Sequence, residues 1–169
     1  MIQAVQDLLE ASFAHSSACQ SFLGASTEAE ARDRIHHDAL PEPSGDRYTR
    51  QEMESLRPCV LIAMERYTRQ KRAMGLGTGD SCWQVQGALV ARLYRTVPST
   101  ESLAASDAAM RASVEAIVAD LEDQSETGGR LAATSIDIQG PSRIEQKDVK
   151  NIGEEQMMQL TIGFGSDRQ

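Results

Sequence analysis

Trp83-Gln84-Val85-Gln86-Gly87-Ala88-Leu89-Val90-Ala91-Arg92-Leu93-Tyr94 places Trp83, Val85, Leu89 and Leu93 on one side of an extended chain, and Gln84, Gln86, Arg92 and Tyr94 on the other. Side chains alternate across a strand, so this period of two predicts a long strand with one face toward a core. Upstream, Pro58-Cys-Val-Leu-Ile-Ala-Met64 is a continuous apolar run behind a proline, which predicts a shorter strand buried on both faces. Residues 65–82 join the two. They hold Arg66, Arg69, Lys71 and Arg72, then Gly75-Leu-Gly-Thr-Gly-Asp80, and predict a basic, glycine-rich hairpin connection.

Downstream, Pro98-Ser99 ends the strand, and residues 107–124 carry Met110, Val114, Ile117, Val118 and Leu121 on a single helical stripe. Gly128-Gly129 breaks this helix. Two further strands are predicted, one over 132–139 stopped by Gly140-Pro141, the other over Met158-Gln-Leu-Thr-Ile-Gly-Phe164. Before the first strand, Ile2, Val5, Leu8, Leu9, Phe13 and Phe22 predict an opening amphipathic helix to Gly24, and Thr27 caps a short second helix. Residues 25–57, with Pro41, Pro43 and Gly45, otherwise predict a long excursion or interface loop, with a helical turn or two near 48–56. The fold class is α+β: a mostly antiparallel four-stranded sheet with helices on one face, in the order helix, strand, strand, helix, strand, strand.

The 169 residues suit a single domain over 1–169, and a hydrophobic content of 40% supports a core without metal or disulfide. With only 4% aromatic residues, that core rests on Leu, Ile, Val, Met and Ala. Cys19, Cys59 and Cys82 are odd in number and widely spaced, so they read as buried thiols. The net charge of −8 argues against a nucleic-acid binder that uses its whole surface, though it leaves room for a local basic patch. No basic leader and no long apolar run is present, so a soluble chain made in the cytoplasm, away from the membrane, is expected.

No catalytic motif emerges. The glycines at 75–79 lack the spacing of a phosphate loop and precede a strand where such loops precede a helix. His36-His37-Asp38 is read as solvated loop, since adjacent side chains diverge and the further ligands a metal needs have no recognisable spacing. No GxSxG elbow or cysteine signature supports nucleophilic catalysis. Catalytic, cofactor and metal residues are therefore all expected to be absent. Arg66, Arg69, Lys71 and Arg72 remain, four cations in an acidic chain, able to contact phosphates or a neighbouring subunit.

In order and texture the chain resembles the tail terminator proteins, the tail-completion or neck subunits of long-tailed bacteriophages. The resemblance lies in the opening helix, 58–64, 83–93, the helix 107–124 and the strand 158–164. It implies a structural virion protein of the tail or neck, without enzyme activity. Such a subunit forms a homohexameric ring that caps the tail tube, joins it to the head connector or stopper protein, and passes DNA through its lumen. The rival readings are another neck or head-completion protein, and a small cytoplasmic enzyme or ligand-binding protein.

Overall fold

The computed structural model of the protein describes residues 2–73, 81–97, 100–126, 133–144 and 155–168. The opening apolar stripe forms helix α1 (Ile2–His15), with Leu9 and Phe13 fully buried. The expected single helix is broken at Ser16, whose side chain accepts from the Cys19 amide and caps a separate α2 (Ser17–Leu23). Gly24, at φ 65°, closes α2 in the left-handed conformation that glycine adopts without penalty. Thr27 caps α3 (Glu28–Arg32) as the sequence suggests.

The excursion is more ordered than expected. Ile35–His37 forms β1, and Arg50–Leu56 forms α4, which opens with a capping box between Thr49 and Glu52. β2 (Cys59–Ala73) and β3 (Ser81–Thr96) pair antiparallel along their length, with a register shift between Met64 and Arg66. Most of the predicted 65–82 connection is thus strand, and 74–80, including the glycine run, lies outside the described residues. The long helix α5 spans Leu103–Glu126. β4 (Ala133–Ile144) continues past Gly140-Pro141, because a register shift between Gln139 and Ser142 accommodates a residue that has no N–H to donate. β5 (Glu155–Arg168) completes the sheet. The Pro98-Ser99 and Gly128-Gly129 breaks, and the polar stretch 145–154, also lie outside the described residues.

The sheet has five strands in the order β1-β2-β3-β5-β4, with every pair antiparallel except β1 with β2. The α+β class holds. The four-stranded expectation is corrected by β1, a three-residue strand too short to show a period. Val60 and Ile62 of β2, Leu89 and Leu93 of β3, and Leu160 and Ile162 of β5 meet Leu9, Phe13, Met110, Val114, Ile117 and Leu121 in one core. The predicted helical stripe is thus the buried one. The run 58–64 is buried on both sides only in part: Val60 and Ile62 are inside, and on the opposite face Cys59 is buried while Leu61 and Ala63 are half-buried.

Candidate functional site

Arg66 and Arg69 lie on β2 beyond the reach of β1, paired with Ala88 and Val85. Both are exposed. Three residues apart on a strand, they point to opposite faces of the ribbon, so they do not form one compact patch. Lys71 and Arg72 continue the same ladder opposite Trp83 and Cys82. The four cations are therefore strung along a β-ribbon and not gathered in a loop.

On the sheet face opposite the core Ala88 and Val90 are buried, while Leu61, Ala63 and Thr161 are half-buried. Glu65, Arg66, Ala88, Ser135, Asp137 and Thr161 border a groove of about 380 Å³ there, with charges of both signs and small side chains at its floor. At the end of this face a buried ion pair closes the surface: Arg57 Nε donates to Glu155 Oε1 at 2.6 Å, with the side chains 4% and 2% exposed. The Arg57 guanidinium also lies 4.8 Å from the Tyr94 ring centroid and donates through Nη1 to Cys59 Sγ at 3.2 Å. Burial raises the Cys59 thiol pKa against the opposing pull of Arg57. Burial, with Asp120 adding to it, pushes the Cys19 thiol up to about 12. Neither is poised as a thiolate nucleophile, and both are buried and free, as the sequence suggests.

His36 and His37 belong to a strand, which corrects their reading as solvated loop. His36 pairs with Leu61 on the face opposite the core, where burial, Arg57 and His37 in that order lower its pKa. His37 points the other way, to α1. Its Nε2 lies 2.9 Å from Glu10 Oε2, and its Nδ1 lies 3.9 Å from Asp7 Oδ1 and 3.1 Å from Gln3 Nε2. One ligand atom from each of Asp7, Glu10 and His37 falls within 4.8 Å of the others. These are the carboxylates that inspection of the His-His-Asp run could not locate. Asp7 and Glu10, one helical turn apart, carry the signal, but only the pairing of β1 with β2 brings His37 to them.

A second polar network fastens α5 to the sheet. Arg95 donates to Gln156 and to the Ser106 carbonyl, and Ser106 Oγ donates to Gln156 Oε1 at 2.8 Å, with Ser106 and Gln156 fully buried. Every partner there is accounted for, which suits a structural joint. Among the described residues no helix is long and apolar enough to cross a membrane. Compared with known proteins, the chain matches no protein-family model and no curated protein.

Proposed function

We propose that the chain is a structural virion subunit, a tail terminator that forms a ring on the tail tube of a long-tailed bacteriophage and joins it to the head connector. The observation that carries the reading is the pair of open sheet edges. Among the described residues, β2 pairs with β3 alone beyond Ile62, and β4 pairs only with β5. Exposed edges of this length are sites of pairing with another chain, and a closed ring of identical subunits can cover them without leaving new ones. Three grooves, of about 330, 350 and 380 Å³, are partly open to solvent and lined by mixed polar and apolar residues, which is compatible with an assembling role.

In this reading the ribbon carrying Arg66, Arg69, Lys71 and Arg72 faces the lumen or the next subunit. Light scattering and native mass measurement should give a closed homo-oligomer, six chains by the family resemblance. A monomer at every concentration, and again with tail tubes added, removes the proposal. Neutralising all four cations should leave folding intact and impair DNA retention if they line the lumen, or ring formation if they dock. Either defect should mimic the effect of high salt on the unaltered protein. Wild-type assembly and infectivity of that variant would reduce the ribbon to a solubilising surface.

A further inference from the structure

We propose that Asp7, Glu10 and His37 form a binding site for a first-row divalent cation, with zinc as the probe, independent of the ring reading. The donor set is two carboxylates and an imidazole, which suits zinc and its neighbours better than magnesium or calcium. The ligands come from two elements, α1 and β1, so the fold and not one flexible segment fixes their spacing. His37 and Glu10 are mostly enclosed, with side chains 19% and 21% exposed, while Asp7 stands at the mouth at 58%. This leaves an entry path and room for water to complete the coordination.

His37 Nε2 is buried and has no hydrogen-bond partner, although Glu10 Oε2 lies 2.9 Å away. A tetrahedral ion with ligands at about 2.0–2.1 Å separates neighbouring donors by about 3.3 Å, so Nε2 and Oε2 need move apart by only a few tenths of an ångström. The Gln3 amide nitrogen bridges Asp7 Oδ1 at 2.8 Å and His37 Nδ1 at 3.1 Å. Coordination through Nε2 moves the ring proton to Nδ1. To accept that proton through Oε1 the Gln3 amide must give up its hydrogen bond to Asp7 Oδ1 and turn over, which releases the Asp7 oxygen for the ion. Gln3 is thus a positioning residue. Arg32, 3.5 Å from Glu10 Oε1, opposes the ion.

The experiment is calorimetric titration of the untagged, chelator-treated full chain with Zn²⁺, paired with the visible spectrum of the Co²⁺ form. One ion per chain is expected, with cobalt bands free of thiolate charge transfer, which excludes binding at a cysteine. His37→Gln and Asp7→Asn should each weaken binding at least as much as loss of an outer partner does, about 10–100-fold. Arg32→Ala should tighten it, because it removes the competing cation. Thermal melts of each variant without metal establish that it folds. Absence of zinc binding to the folded wild-type chain overturns the proposal, as does equal affinity in the folded His37→Gln and Asp7→Asn variants. A thiolate band in the cobalt form overturns it too. The cluster would then only clamp α1 to β1.

Discussion

Gly87 shows how tightly single positions are set. A Cβ there would sit 2.5 Å from both the Arg66 carbonyl oxygen and the Phe164 ring, because the ring lies over its paired glycine. Gly87→Ala should therefore lower stability by about 1–3 kcal/mol, the usual cost of overpacking, read as a shift in the urea midpoint. Arg57 and Glu155 are exacting in another way. Glu155→Gln leaves the Arg57 charge buried without its counter-charge and should cost about 3–5 kcal/mol, whereas replacing both by apolar residues of similar volume should recover most of the loss. Glu52 responds to pH. Hydrogen bonds from Ser44 and Thr49 hold its carboxyl at about 2, below an ordinary 4.5. Because the folded-state pKa is depressed, its contribution is fully present above the ordinary value and is lost as pH falls toward the folded one. The Ser44 and Thr49 amide resonances should move through that acid window, and the movement should vanish in Glu52→Gln.

The elements that were legible are those whose partners lie within their own repeat. In α5 the spacing of Met110, Val114, Ile117 and Leu121 states the buried face directly, and all four are inside. Leu121→Ala should cost about 2–5 kcal/mol, and an unchanged denaturation midpoint would show that the site relaxes into the gap. Elements defined by distant partners were not legible. The break at Ser16 depends on Asp120, which accepts from Ser16 Oγ at 2.7 Å and from the Ala18 amide at 3.1 Å across more than a hundred residues. These hydrogen bonds outweigh the desolvation of Asp120 and lower its pKa. β1 exists because Ile35–His37 lies beside Val60–Ile62, and nothing in Ile-His-His announces it. The same dependence hid the His37 cluster, whose acids are on α1. The four cations were visible as composition, but their placement along a ribbon required knowing that β2 runs to Ala73.

At the scale of the whole molecule, composition and pattern gave the α+β class, while the strand order came from the structure alone. Among the described residues, the unpaired edges of β2 and β4 are a consequence of that order, and the ring proposed from them stands or falls on particle mass. The order also has a consequence in time. β5 follows β4 in the chain yet lies between β3 and β4. During synthesis, β4 emerges first and finds no berth, since the strand it must lie against has not been made. The flank of β3 has its partner only once β5 has been made, and residues 133–168 supply both β4 and β5. Adding this region as a separate polypeptide should therefore restore a sheet to residues 1–126, and a ribosome paused after β4 should hold an intermediate prone to borrow its missing strand from another nascent chain.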